Sequence, residues 1–192
     1  MESIYLIRHA KAEGQEPYAS LTDEGYTQAE RLAEMLSSHG ISYIVSSPWK
    51  RAVQTAVPLG AAIQQHIHTD ERLQERVLST KDLPDWMDVL KRTYDDVDWA
   101  AEGGESSRIA ARRALAVLEE CWSRPELHGV VVTHGNLLSL IIRQYVPSFG
   151  YPEWARLSNP DIYVLRREHR QMDEGGRKEH EPIFSIRRLA LD

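Results

Sequence analysis

Cysteine is nearly absent from this sequence of 192 residues, in which Cys121 is the single example. One cysteine cannot form an intramolecular disulfide, which favours a reducing compartment, and its surroundings AVLEECWS predict a buried thiol on a helix. Long apolar runs are also missing: the longest, NLLSLII, is far shorter than the roughly 20 residues that cross a bilayer. The N-terminus lacks the basic segment and apolar core of a signal peptide. We therefore expect a soluble cytoplasmic protein without a membrane partner.

Positively charged residues are also in the minority. Lys and Arg number 23 against 29 Asp and Glu, which gives a formal net charge of −6 at pH 7. A broad basic face of the kind that binds nucleic acid is therefore not expected, and any anion must be bound by a local cluster of cations. The length and the hydrophobic content of 42% predict one sizeable core, and hence a single domain over residues 1–192.

Strand and helix patterns alternate along most of the chain. Apolar runs without alternation at SIYLIRH, YIVSS and GVVVT predict strands that are buried on both faces. Thr22 and Ser106 are placed to cap helices, while Ser47 followed by Pro48 predicts the start of another. DIYVLRR and IFSIRRL flank a polar run and predict a C-terminal β-hairpin with a long exposed loop. The pattern predicts an α/β fold, a three-layer α/β/α sandwich around a mainly parallel sheet.

Two histidines and two arginines follow or end these predicted strands. Arg8 and His9 end the first strand, Arg51 lies on the first turn of the helix after the second, and His134 ends VVVTH. In a parallel sheet these junctions converge on one crevice. Each residue alone is more often structural or solvated, but four buried potential cations without an anion would be strongly unfavourable. A phosphoryl group would satisfy them, because guanidinium groups and helix N-termini bind its oxygens.

Breaking a phosphoester also requires a proton for the departing oxygen. Glu75, in ERLQER on the loop after the next strand, is the candidate general acid. Without the other four residues, Glu75 would more often be interpreted as a solvated loop carboxylate. Its position at the same end of the predicted sheet makes the catalytic interpretation the better one.

Other features have plainer interpretations. His66 and His68 would share one face of a strand, but no third ligand lies beside them in the sequence, so we expect an exposed strand and no metal site. Lys11 is expected to point to solvent, as lysine usually does. Trp86 and Trp99 lie in the irregular segment 76–105, where they either wall a substrate pocket or fill the core.

The ordered set of motifs resembles the histidine phosphatase superfamily, the group that also contains the cofactor-dependent phosphoglycerate mutases. LIRHAKAE, LTDEGYTQAERL, IVSSPWKRAVQTA, RLQE, GGES and VVTHGN carry the resemblance, which extends over about residues 4–147 and is similar to a small bacterial-type phosphatase branch. It implies that His9 is the phosphorylated nucleophile and that Glu75 is the acid. The residues that it implies for binding the substrate phosphate are Arg8, Arg51 and His134.

The sequence also departs from the pattern of that family. Ala10, Lys11 and Ala12 follow the first histidine, whereas the family often has Gly and then a hydroxyl residue that helps to hold phosphate. The segment from Val77 to Glu102 is short for a mutase. The hydroxyl donor is therefore missing here, and the short segment argues against mutase activity.

We therefore predict a metal-independent phosphomonoester hydrolase of the histidine acid phosphatase type, which acts through a phosphohistidine on a small phosphorylated metabolite and needs no cofactor. The alternatives are a phosphoglycerate mutase-type phosphotransferase and a non-catalytic module that senses phosphate. The presence of Glu75 disfavours the second. A zinc site built from His9 and His134 is disfavoured by the neighbouring arginines, which would repel a cation. The identity of the substrate and the oligomeric state stay open.

Overall fold

Six strands form one mixed sheet in the computed structural model, which describes residues 1–168 and 183–191. The strands are β1 Ser3–Arg8, β2 Ile41–Ser46, β3 Ile67–Thr69, β4 His128–Thr133, β5 Asp161–Glu168 and β6 Ile183–Leu189. Their order across the sheet is β3-β2-β4-β1-β5-β6. The first four run parallel, while β5 pairs antiparallel with both β1 and β6. The predicted mainly parallel sheet with a C-terminal antiparallel pair is confirmed, and the loop predicted at 169–182 lies outside the described residues.

Helices cover both faces of this sheet. They are α1 Asp23–Leu36, α2 Lys50–Ala62, α3 Trp86–Asp95, α4 Ser107–Trp122, α5 Gly135–Tyr145 and α6 Tyr151–Trp154. On the central strand β1, Ile4 and Leu6 pack into a cluster with α3, α4 and α5, and Tyr5 and Ile7 pack into a second cluster with α1 and α2. Because both faces of β1 are buried, its sequence shows no alternation. The three-layer α/β/α arrangement is confirmed.

Two of the three predicted helix caps are confirmed. Thr22 and Ser106 cap α1 and α4, each through a hydroxyl oxygen that accepts a backbone N–H three residues along, at 3.0 and 3.2 Å. The third prediction is wrong, because α2 begins at Lys50 rather than at Pro48. The hydroxyl of Ser47 is bonded to a histidine ring across the sheet, so it is not the cap of α2.

The fold shows where the single cysteine lies and whether any helix is long and apolar. Cys121 is buried on α4, as predicted, and its burial raises the pKa of the thiol to about 11. Within residues 1–168 and 183–191, no helix has the length and apolar character required to cross a membrane.

Candidate active site

The parallel register brings the ends of three strands together. Arg8 at the end of β1 lies beside Thr133 at the end of β4, so the next residues, His9 and His134, are neighbours. The backbone N–H of His9 donates to the carbonyl of Thr133 across 2.9 Å, and that of Ser47, after β2, bonds to β4 in the same way across 2.8 Å. The two imidazole rings lie 5.1 Å apart, centroid to centroid. The predicted convergence at the carboxyl edge of the sheet is therefore present.

The hydrogen bonds of His9 fix its tautomer. Its Nδ1 lies 2.7 Å from the carbonyl oxygen of Ala10, and its Nε2 lies 3.0 Å from Nε of Arg51. A carbonyl oxygen can only accept and a guanidinium can only donate, so Nδ1 carries the hydrogen and Nε2 carries the lone pair. Burial lowers the pKa of His9 to about 3, and the charges of Arg51 and Arg8 act in the same direction. The imidazole is therefore neutral and nucleophilic at Nε2.

Arg51 is almost completely buried on the first turn of α2, with 1% of its surface exposed. Besides its contact with His9, its Nη1 donates to the carbonyl of Glu16 across 2.8 Å. The guanidinium lies 4.6 Å above the ring of Trp49, at cation–π distance. Burial lowers the pKa of Arg51, and the charges of Glu75 and Glu16 oppose that shift. The group stays charged, since arginine is protonated at any ordinary pH.

Arg8 lies against the N-terminus of α5. Its Nη1 donates to the carbonyl of Leu157 across 2.9 Å, and its Nε has no hydrogen-bond partner in the part of the chain that the structure describes. A Cβ atom at Gly135, the first residue of α5, would lie 3.0 Å from Nε of Arg8. The absence of a side chain at Gly135 thus lets the guanidinium approach the helix end, where backbone N–H groups favour an anion.

His134 is completely buried and contacts the residue that follows β2. Its Nε2 lies 2.8 Å from Oγ of Ser47, while its Nδ1 has no partner within residues 1–168 and 183–191. The hydroxyl oxygen of Ser47 also accepts the backbone N–H of Trp49 at 3.3 Å, and the hydroxyl group can either donate to Nε2 or accept from it. Burial holds the pKa of His134 well below its usual value, and His9 and Arg51 add to this effect. The neutral ring therefore leaves Nδ1 as its unpartnered nitrogen among the described residues.

Glu75 is held by backbone N–H groups at the start of α5. One carboxylate oxygen accepts from Asn136 at 3.0 Å, and the other accepts from Leu137 and from Arg76, both at 2.9 Å. Its carboxyl group also lines a cavity of about 780 Å³ together with Arg8. All five predicted site residues therefore lie at one end of the sheet, with Glu75 on the side of the cavity.

Sequence reasoning missed four neighbours of this site. Ser47 and Trp49 contact His134, the latter at 4.7 Å between ring centroids. The Oγ1 of Thr55 accepts the backbone N–H of the residue after His9 at 3.0 Å, and Nδ2 of Asn159 donates to the carbonyl of His9 at 2.7 Å. Ser47 and Thr55 lie inside the quoted motif IVSSPWKRAVQTA, so that motif was the available signal. Nothing in the local sequence marks Asn159.

The structure also shows where Lys11, Trp86 and Trp99 lie. Lys11 is exposed and forms an ion pair with Glu24 at 2.5 Å, so the expectation that it points to solvent is confirmed. Trp86 lines the cavity beside Glu75, whereas Trp99 stacks on the guanidinium of Arg92 at 4.0 Å. Only the first of the two tryptophans therefore walls the pocket.

His66 directly precedes the edge strand β3, and His68 lies on that strand. Both side chains are exposed, and their rings lie 4.9 Å apart in an edge-on contact. His68 stacks on Tyr43 of the neighbouring strand at 5.1 Å. In the described ranges, no group of three or more His, Cys, Asp or Glu residues is arranged to hold a metal ion.

These contacts build an electropositive pocket. The buried guanidinium of Arg51 contacts a neutral imidazole whose lone pair is defined, and the half-buried guanidinium of Arg8 lies at the neighbouring helix end. A second neutral imidazole has its Nδ1 without a partner among the described residues. Such preorganised donors stabilise the charge that develops on a transferring phosphoryl group. The carboxyl group of Glu75 lies at the edge of this pocket, on the side of the cavity.

Comparison with known proteins gives a consistent relationship. The sequence model of the histidine phosphatase superfamily (branch 1) matches residues 4–174. The chain is 31% identical to a probable phosphoglycerate mutase, GpmB, of Proteus mirabilis, over 84% of this chain and 83% of that protein. It is 34% identical to glucosyl-3-phosphoglycerate phosphatase of Mycobacterium tuberculosis, over 63% of this chain and 61% of that protein.

A solved structure extends the similarity to three dimensions. The native structure of a mycobacterial glucosyl-3-phosphoglycerate phosphatase superposes with a TM-score of 0.71 at 26% identity, over 86% of this chain and 90% of that chain.

Proposed function

The chain belongs to the histidine phosphatase superfamily (branch 1), and from this we propose that it is a metal-independent phosphomonoesterase that works through a phosphohistidine. The relatives that are named as phosphatases support hydrolysis. We propose that residues 1–192 act as one domain, with His9 as nucleophile and Glu75 as acid and base. The proposed phosphate ligands are Arg8, Arg51 and His134.

In the first step, Nε2 of His9 attacks phosphorus and the bond between phosphorus and the ester oxygen breaks. The guanidinium groups of Arg8 and Arg51 and the Nδ1–H of His134 neutralise the other phosphate oxygens. A protonated Glu75 gives its proton to the departing oxygen, so the products are an alcohol and phosphorylated His9.

In the second step, water attacks the phosphorus of phosphorylated His9. Glu75, now a carboxylate, takes a proton from this water, and the phosphorus–nitrogen bond breaks. Inorganic phosphate leaves, Nε2 of His9 regains its lone pair, and Glu75 is again protonated. Both steps use the same groups, so no further reactant is needed besides water.

The observation that carries this proposal is the neutral, tautomerically fixed imidazole of His9, which accepts from the buried guanidinium of Arg51 and directly follows the half-buried Arg8. A lone pair that a guanidinium keeps unprotonated is suited to attack on a phosphate monoester once phosphate displaces that contact, and it is unsuited to metal binding, since the arginines would repel a cation. The same arrangement argues against a module that only senses phosphate, because sensing needs no nucleophile.

We propose hydrolysis rather than a mutase reaction. A mutase must retain the phosphorylated enzyme until a second acceptor binds, whereas here Arg8, the residue before His9, lines an open cavity of about 780 Å³. Water can enter such a cavity and compete for the phosphoryl group. We further propose a cytoplasmic location, where the buried Cys121 thiol would stay reduced, and a small substrate rather than a nucleic acid.

Chelation and vanadate test the proposal together. Activity on p-nitrophenyl phosphate should survive exhaustive treatment with EDTA, because no step uses a metal. Vanadate should inhibit, because it adopts the five-coordinate geometry of the transferring group. Loss of activity on chelation, with recovery on adding zinc or magnesium, would contradict the metal-independent mechanism.

A further inference from the structure

The cavity beside Glu75 is large for a small leaving group. Its volume of about 780 Å³ lies in the upper part of the range, roughly 300–1,000 Å³, that holds drug-sized ligands. A three-carbon leaving group would leave most of this space to water. The size of the cavity therefore favours a bulky leaving group that contains a ring.

One wall of the cavity is apolar and aromatic. Trp86 and Met87, at the start of α3, line it although they are 46% and 49% exposed. Trp154 of α6 stands edge-on to Trp86, with ring centroids 6.3 Å apart and an interplanar angle of 88°. Exposed large apolar side chains that converge on a cavity usually mark a surface that a ligand covers. This wall suits a flat or ring-shaped face.

The charges that line the cavity disfavour a carboxylate on the leaving group. The two cations among the described lining residues are Arg8 and Arg76. Arg8 is assigned to the phosphate. Arg76 is buried, and its guanidinium donates to other groups of the protein. These acceptors include the carbonyl of Glu105 at 2.7 Å and the hydroxyl of Thr93 at 2.8 Å. An added carboxylate would therefore meet Glu75 without a free cation to pair with.

A chain of hydrogen bonds fixes one acceptor at the cavity. The hydroxyl of Ser139 donates to the carbonyl of Asn136 at 2.6 Å, so Tyr94 must donate to Ser139, to which it lies 2.5 Å away. The oxygen of Tyr94 is then free to accept from Nδ2 of Asn136, at 3.0 Å. This leaves Oδ1 of Asn136 as a buried acceptor without a donor among the described residues. A hydroxyl or N–H group of a ligand would satisfy it.

We propose, resting on the proposed function, that the enzyme selects phosphomonoesters of bulky ring-containing alcohols that lack a carboxylate. The ring packs on Trp86 and Trp154, and a ring that carries a hydroxyl or N–H group can also donate to Oδ1 of Asn136. Leaving groups such as serine and glycerate, which are small and carry a carboxylate, are disfavoured by both size and charge.

The first test compares four substrates by kcat/KM. 1-Naphthyl phosphate and glucose 6-phosphate have ring-containing leaving groups without a carboxylate, whereas phosphoserine and 3-phosphoglycerate have small leaving groups with one. We expect each member of the first pair to exceed both members of the second by about tenfold or more, equivalent to about 1.4 kcal/mol. A higher kcat/KM for phosphoserine or 3-phosphoglycerate would overturn the inference.

Variants of the wall separate packing from charge. Trp86→Ala should lower kcat/KM for 1-naphthyl phosphate by about tenfold, while Trp99→Ala, which alters a tryptophan outside the cavity, should leave it unchanged. Met87→Lys should raise the ratio of phosphoserine to naphthyl activity by about two- to fivefold, as a new exposed ion pair would. Val57→Lys adds the same charge at an equally exposed position on α2, and it should leave this activity ratio unchanged.

A burst measurement distinguishes failure of this inference from failure of the proposed function. p-Nitrophenyl phosphate has an activated leaving group, so its single-turnover burst reports phosphorylation of His9. A normal burst with the reversed substrate ranking, or without the Trp86 and Met87 effects, would overturn the substrate class alone. Failure of excess enzyme to release p-nitrophenol in a single turnover would overturn the proposed function and the inference with it.

Discussion

The Nε–H of Arg51 donates a hydrogen bond across 3.0 Å to Nε2 of His9, the atom to which we assign the attack on phosphorus. The guanidinium has no lone pair to receive a proton, so this contact keeps Nε2 unprotonated while it orients the ring. When phosphorus approaches Nε2, it must replace the guanidinium, whose donors can then turn to the phosphate oxygens. The resting contact thus links binding of the phosphate to release of the nucleophile.

The burial of His9 and His134 predicts that the stability of the protein depends on pH. Burial lowers the pKa of His9 to about 3 and holds that of His134 well below 6.5, so the unfolded chain binds more protons between these values. The stabilisation is complete above about pH 6.5 and is lost as the pH falls towards 3. Each histidine should contribute a slope of about 1.4 kcal/mol per pH unit to the free energy of unfolding. Urea unfolding of the wild type and of His9→Asn measures it: equal slopes below pH 6 would contradict the account.

Glu75→Gln should separate substrates by their leaving groups. Alkyl phosphates need a proton on the departing oxygen, and their phosphorylation of His9 should slow by roughly 10²–10⁴-fold. p-Nitrophenyl phosphate needs little protonation, so its burst should be much less affected. Glu71→Gln makes the same chemical change at an exposed position four residues earlier and serves as the control. Equal losses of burst rate on both substrates would show that Glu75 is not the acid.

Ser47→Ala tests the proposed tautomer of His134. Without the hydroxyl, Nε2 of His134 loses its donor, and the hydrogen is free to move from Nδ1 to Nε2. We expect kcat/KM to fall by roughly tenfold, in the range for one unsatisfied buried group. The side-chain ¹⁵N shifts of His134 should report a change from the Nδ1–H to the Nε2–H form. Ser37→Ala, on an exposed helix end, is the control, and an unaltered tautomer in Ser47→Ala would refute this role.

Gly135→Ala tests the close approach of Arg8 to α5. The added Cβ would lie 3.0 Å from Nε of Arg8 and displace the guanidinium. We expect phosphate to inhibit about tenfold more weakly, a change of about 1.4 kcal/mol. The melting temperature should not fall, because alanine is the better helix former. Gly150→Ala, where the nearest atom to a new Cβ is 3.6 Å away, is the matched control. Unchanged phosphate inhibition in Gly135→Ala would contradict the assignment of Arg8.

The mainly parallel sheet and the convergence of the site residues were predictable because they follow from local patterns. An apolar strand followed by a polar junction places Arg8, His9 and His134 at one sheet edge, whatever the details of the loops. The ordered motifs around Arg51 and Glu75 supplied the remaining two positions. Physical rules for parallel sheets, together with these motifs, grouped all five.

Contacts between distant segments were not predictable. Ser47 looks like a helix cap from its neighbours alone, and only the pairing of β2 with β4 brings it to His134. Asn159 reaches the carbonyl of His9 across 150 positions of sequence. Ile109 fits the apolar period of α4, yet it is 59% exposed because the helix presents Ala110 and its neighbours to the core. In each case tertiary packing determined the partner, and the local pattern carried no information about it.

Chemical trapping of the phosphorylated enzyme tests the central claim most directly. The protein is mixed briefly with p-nitrophenyl phosphate, quenched in alkali, in which phosphohistidine is stable, and digested for mass spectrometry. The account predicts one phosphoryl group on the peptide that contains His9, lost on acid treatment and absent from the His9→Ala variant. An enzyme that turns over substrate without this adduct, or that carries the phosphoryl group on His134 or another residue, would contradict it.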